Sequence, residues 1–189
     1  FSTPHGSGGP GGAAVGVTGR LEKFLPAPLV AFDGKKYFFD HDRPDSIGKV
    51  RMFHGAPMVV LRAYAWIMSL GADGLKEVAE VAVLNNNYLL KKMLEIRGIE
   101  IPYPDQPRIE QVRYTLKKML DETGVSSSDV RRRVTEHGAH YWLSHHPFLI
   151  PEPATMEPGE SYSKREIDDY LSLIRKVSDE AYTNPDVVK

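Results

Sequence analysis

Two long helical patterns, separated by a single glycine, constrain this chain more than anything else in it. Pro57 suits the first turn of a helix, MVVLRAYAWIMSL continues it, and Gly71 is a good terminator. Met58, Val59, Leu61, Tyr64, Ala65, Ile67 and Met68 cover more than one face of that first helix. A helix apolar nearly all round has to be buried against something large. The second helix is expected from Asp73, as N-cap, to Gly98. Its stripe is Leu75, Val78, Ala82, Leu89, Met93 and Ile96. Asn85, Asn86 and Asn87 interrupt it. Asparagine competes with the helix for backbone hydrogen bonds, so at least one is expected to bond across a domain boundary, with solvent exposure as the plainer alternative.

Around these helices the sequence predicts short elements. Residues 1–28 form an irregular arm, because glycine and proline at that density forbid regular structure. Leu29 to Phe32 and Lys36 to Phe39 flank Asp33-Gly34, a hairpin signal. Ile109 to Leu116 alternates in part, as a strand does. Ser126 to Asp129 offers N-caps for a helix ending near Gly138. Tyr141 to Leu143 and Ala154 to Met156 read as short strands. Ser163 and Glu166 make a capping box before a last helix with Ile167, Tyr170, Leu171, Ile174 and Val177 on one face. The expected architecture is α+β: long helices packed on one face of a small sheet.

Composition narrows the function classes. The chain has 189 residues, 41% of them hydrophobic, enough for one domain with a core, or a domain plus an arm. Twenty-four basic groups face 25 acidic ones, a net charge of −1. That balance offers no global field for nucleic acid or an anionic membrane. Cysteine is absent, which excludes disulfides, thiolate metal sites and a cysteine nucleophile. No apolar run approaches the roughly 18 residues of a membrane span. The chain opens on Phe1, without a methionine or a signal pattern, and is expected to begin inside a longer protein or to be a processed product.

Few residues point to chemistry on their own. Gly6, Gly8, Gly9, Gly11 and Gly12 could wrap an anion with their amides. As a nucleotide loop the stretch fits poorly, because Pro10 lies inside it and no strand precedes it. Asp40-His41-Asp42 and His145-His146 lack the i, i+4 spacing of a helical zinc pair, so no metal is expected. Arg62, alone in an apolar helix, calls for an anionic partner. A contact across a domain or subunit boundary explains it more simply than substrate does.

The order of several motifs carries a resemblance. FSTPHGSGGPGG is similar to the segment that directly follows the cofactor lysine in the glycine decarboxylase family, also called P-protein. FLPAPLV, DHDRPDSIGKVRMFHG, LRAYAWIMSLGADGLKEVAEVAVLNNNYL, LIPEP and MEPGESYSK follow in the family's order. DRPDSIGKVR is especially like the second subunit of the two-subunit form. The chain departs from the family's usual residues at Ile109-Glu110-Gln111, at His140 to Leu143, at Glu157-Pro158-Gly159-Glu160, and at Asn86, where the family usually has alanine.

This resemblance implies the aminotransferase-like fold of the type I pyridoxal-phosphate enzymes. Residues 1–55 would belong to the end of the large domain, and residues 56–189 to helices and the small C-terminal domain. It implies pyridoxal phosphate on a Schiff-base lysine upstream of Phe1, so that no catalytic residue lies in the chain itself. The ring would accept electrons as carbon dioxide leaves glycine, and the aminomethyl group would pass to lipoyl H-protein. Thr3, His5, Gly6, Ser7, Gly8 and Gly9 would lie near the cofactor. Ser46, Lys49 and Arg51 would lie near the cleft or subunit contact, with His140 a weak candidate for the substrate carboxylate. Expected partners are the first subunit, H-protein and glycine, with neither nucleic acid nor membrane, in the cytoplasm. The alternatives are a non-catalytic helical interaction module and another decarboxylase of the same fold.

Overall fold

The computed structural model describes residues 14–52, 55–141 and 150–189. The chain forms two compact units, Phe1–Ala72 and Asp73–Lys189.

In the first unit a 3-10 helix, Gly19–Phe24, precedes the hairpin of β1 (Leu29–Phe32) and β2 (Tyr37–Asp40). The strands pair antiparallel, Leu29 opposite Asp40 and Phe32 opposite Tyr37. The second strand starts one residue later than expected. The Asp33 carboxylate accepts the amides of Lys35 (2.8 Å) and Lys36 (2.9 Å), which keeps Lys36 in the turn. Those two amides, Lys36 first, hold the Asp33 carboxyl below its ordinary value. Gly34 takes the left-handed conformation, φ 93°, that the turn requires.

Helix α1 spans Pro57–Met93, but Gly71 has φ 65° and ψ −173°. That region is essentially open to glycine alone, so the helix breaks into segments 57–70 and 72–93, near the expected boundary. One 18-residue window in α1 reaches a mean hydropathy of 1.2. By length and composition alone the helix could therefore cross a membrane, which corrects the expectation that no stretch approaches that length.

The second unit holds the core. Beyond α1 come β3 (Val112–Thr115), α2 (Lys117–Thr123), α3 (Ser127–Glu136), β4 (Pro153–Met156) and α4 (Lys164–Thr183). Strands β3 and β4 pair antiparallel, Val112 opposite Met156. The single small sheet expected from the sequence is thus two separate two-stranded ribbons, one in each unit. Helix α2 was not foreseen, since LKKMLDETG has little periodicity of its own. It is held by Met119 in the core and closed by Gly124 at φ 72°.

Both capping motifs form. Ser126 accepts from the Asp129 amide and Ser163 from the Glu166 amide, and each acidic side chain returns the bond. Ile167, Leu171, Ile174, Val177 and Ala181 of α4 meet Leu89 and Met93 of α1, and Ile96 just beyond it, in one buried cluster. Each such aliphatic burial contributes about 1.5–3 kcal/mol. Helix α1 stops at Met93, short of the expected Gly98, because Glu95 and Ile96 donate to carbonyls only three residues back. Gly98 then turns the chain at φ 79°.

Candidate functional site

The asparagine run explains itself in the second unit. Asn85 and Asn86 are buried, and their side chains hold a loop. Asn85 Nδ2 donates to the carbonyls of Gly159 (2.9 Å) and Tyr162 (2.9 Å). Asn86 Nδ2 donates to Pro158 O (3.1 Å) and to its own helix at Ala82 O (2.8 Å). Asn87 exchanges two bonds with the Arg108 backbone, Nδ2 to O at 2.8 Å and N to Oδ1 at 3.0 Å. All these contacts stay inside the unit Asp73–Lys189. The expectation of a bond across a domain boundary is therefore corrected: the run ties one helix to loops of its own domain, where buried carbonyls need donors.

The loop so held, residues 157–162, forms one wall of a cavity of about 320 Å3. Thr155 and Met156 of β4, His140, and Glu166, Ile167 and Tyr170 of α4 line the rest. Behind Tyr170 stand Tyr114 and Tyr141, whose rings meet edge to face at 6.4 Å and 88°. The three hydroxyls are shut off from solvent. Burial, foremost, pushes all three phenols well above their ordinary value. They are neutral donors at any physiological pH. Glu166 is held low by the Ser163 amide and hydroxyl, so it remains a carboxylate.

Among the described residues, the chemistry of this cavity is that of a partly apolar recess with neutral hydroxyls, one imidazole and the carboxylates of Glu157 and Glu166. A phosphate-bearing cofactor calls for cations or a cluster of amides. Among the described residues, no lysine or arginine lines the cavity, so that described lining alone does not fit pyridoxal phosphate.

The residues singled out in the sequence fall in different places. Thr3, His5, Gly6, Ser7, Gly8 and Gly9 lie outside the described residues. Ser46 closes a turn: its Oγ donates to Leu25 O at 2.6 Å and accepts from the Gly48 amide at 3.0 Å. Lys49 and Arg51 are exposed on the first unit. His140 lines the cavity of the second. Sequence reasoning missed Thr155, Tyr162, Glu166 and Tyr170 as cavity residues. The signal that leads to them was the asparagine run, since three such residues in a helix need partners nearby.

Residues 78–186, more than half of the chain, match the family described as glycine dehydrogenase, C-terminal domain. The chain belongs to that family. Curated relatives match the whole length of the chain. A protein of Pyrococcus abyssi named "Probable glycine dehydrogenase (decarboxylating) subunit 2" is 45% identical over all of this chain and 38% of its own length. One of the same name from Thiobacillus denitrificans is 42% identical over all of this chain and 39% of its own. The chain thus spans less than half the length of the curated relatives it matches. Among solved structures, a glycine decarboxylase (P-protein) of the glycine cleavage system matches with TM-score 0.65 and 19% identity. The match covers 84% of this chain and 37% of that one. A Lactobacillus brevis glutamate decarboxylase matches with TM-score 0.57 and 13% identity, over 83% and 34% of the two chains. These likenesses show the aminotransferase-like, type I fold that the resemblance implied.

Proposed function

We propose that this chain is the C-terminal part of subunit 2 of a glycine dehydrogenase (decarboxylating). The observation that carries the reading is 45% identity, over the full chain, to a relative of that name. On this reading the intact enzyme decarboxylates glycine with pyridoxal phosphate and passes the aminomethyl group to lipoyl H-protein. The first subunit is its partner. The cofactor belongs to the intact enzyme; the described lining of the cavity beside His140 offers it no lysine or arginine. What the described residues supply is a C-terminal domain whose asparagine-held loop, residues 157–162, gives that cavity a fixed wall. The glutamate decarboxylase likeness, at 13% identity, concerns the fold and favours no second reading.

The test is exchange of labelled bicarbonate into the carboxyl carbon of glycine. It uses the full parent subunit, the first subunit and lipoylated H-protein. Exchange that needs all three is expected. No exchange with all three present, or equal exchange without H-protein, overturns the reading. A cytoplasmic location goes with it, and fractionation of the parent enzyme tests that.

A further inference from the structure

The cavity beside His140 carries two polar groups that the fold does not use. Thr155 lines it and is only 6% exposed. Its hydroxyl has no hydrogen-bond partner among the described residues. A buried hydroxyl left unpaired costs free energy, which a ligand that reaches it recovers. Glu166 is the second group. Its Oε2 accepts the amide (2.8 Å) and the hydroxyl (2.8 Å) of Ser163, which completes the cap of α4. Its Oε1 makes neither hydrogen bond nor ion pair among the described residues. One carboxylate oxygen therefore holds the helix, and the other is left over. Glu157 adds a second carboxylate to the lining. The Gln111 amide, turned to donate, reaches it at 3.1 Å, so Glu166 is the less engaged of the two.

The rest of the lining sets the class of ligand. Met156, Pro158 and Ile167 are apolar, and Tyr162 and Tyr170 are aromatic, a setting that suits an organic cation. Among the described lining residues there is no lysine or arginine, so a phosphate or carboxylate finds no counter-charge. Among the described residues no three His, Asp or Glu side chains are placed to hold a metal ion. A wholly apolar molecule would leave the Thr155 hydroxyl unpaired and desolvate Glu166. The volume, about 320 Å3, lies at the small end of the range for small-molecule sites. We propose that this cavity binds a small organic cation, an alkylammonium or alkylguanidinium with a short apolar body. Its N–H groups donate to Glu166 Oε1, the Thr155 hydroxyl gains a partner, and the apolar body rests on Met156 and Ile167. The site lies within the unit Asp73–Lys189, and the proposal does not depend on which reaction the parent enzyme carries out.

Butylguanidinium is the probe. Unlike a primary amine, it does not condense with an aldehyde, so it leaves bound pyridoxal phosphate alone. Butylurea, neutral and of the same shape, and butyrate, of opposite charge, are the comparisons. Binding is followed by isothermal titration calorimetry of the complete enzyme, both full-length subunits with pyridoxal phosphate. The cation should bind about tenfold more tightly than either comparison. Glu166→Gln removes the charge and keeps the cap, because glutamine also serves at that position of a capping box. It should weaken butylguanidinium about tenfold, with thermal unfolding unchanged. Thr155→Val keeps the shape without the hydroxyl and should weaken it about fivefold. Glu160→Gln, exposed on the same loop and outside the lining, should leave the affinity unchanged. No binding to the complete enzyme overturns the proposal, whether other residues close the cavity there or fill it. Equal affinity for butylurea overturns it too, as does binding that neither Glu166→Gln nor Thr155→Val weakens. Where Glu166→Gln lowers the unfolding temperature, Thr155→Val alone decides. Binding is read without glycine or turnover, so its outcome is separate from the bicarbonate exchange that tests the enzyme assignment.

Discussion

Asn86 Nδ2 reaches the carbonyl of Pro158 at 3.1 Å, joining a helix to a loop 72 residues further along the chain. Its neighbour Asn85 makes two such bonds to the same loop. The two asparagines are not equivalent. Asn86 Oδ1 is buried with no hydrogen-bond partner among the described residues, a desolvation cost that offsets part of what its amide gains. Asn85→Ala leaves two loop carbonyls without donors and should cost about 2 kcal/mol. Asn86→Ala should cost less, about 1 kcal/mol or under. Urea unfolding of the two variants gives the order directly, and the reverse order contradicts this account.

Arg133 on α3 grips Glu180 on α4 through two nitrogens, Nε to Oε2 at 2.7 Å and Nη2 to Oε1 at 3.1 Å. That hydrogen-bonding holds the Glu180 carboxyl below its ordinary value. A depressed carboxylate stabilises the fold above its unfolded pKa, about 4.3. The contribution disappears as pH falls through the lower folded value. Glu180→Gln should therefore cost about 1 kcal/mol near neutrality and nothing once the wild-type carboxylate is protonated. Stability against pH, measured for both proteins, should converge on the acid side.

Tyr114, Tyr141 and Tyr170 have phenols raised by burial. Here the sign is opposite. The unfolded chain ionises near pH 10 while the folded one does not, so stability is complete below that pH and declines as pH rises past it. Ultraviolet titration should show these phenols ionising only as the domain unfolds. Tyr114→Phe should change stability by no more than about 1 kcal/mol, whereas Tyr114→Ala should cost about 3–5 kcal/mol through the cavity left behind.

Gly71 sits at φ 65° and ψ −173°, with open space where a Cβ would point. A substitution there meets no neighbour, so any effect is conformational. Gly71→Ala should cost about 1–3 kcal/mol. Gly159→Ala, at a glycine with an ordinary φ and equally open surroundings, is the control and should change little. Equal effects would assign the loss to something other than backbone strain.

Much of this molecule follows from local rules legible in the chain, because they act within a few residues. Asp33-Gly34 made a hairpin, Ser126 with Asp129 and Ser163 with Glu166 capped helices, Gly71 broke one, and the order of motifs identified the family. What the tertiary structure decided was where polar groups find partners over long separations. Nothing near Asn85 in the chain announces Gly159, and nothing in KKMLDET predicts a helix until Met119 has a core to enter. The cavity beside His140 is of the same kind. Its walls come from residues 140, 155–162 and 166–170, brought together by packing of β4 against β3 and of α4 on the core. The sequence showed that the helix at 57–70 is apolar nearly all round, Arg62 excepted. Only the fold showed that the described part of this chain leaves most of it uncovered, because the buried residues gather entirely in the other unit.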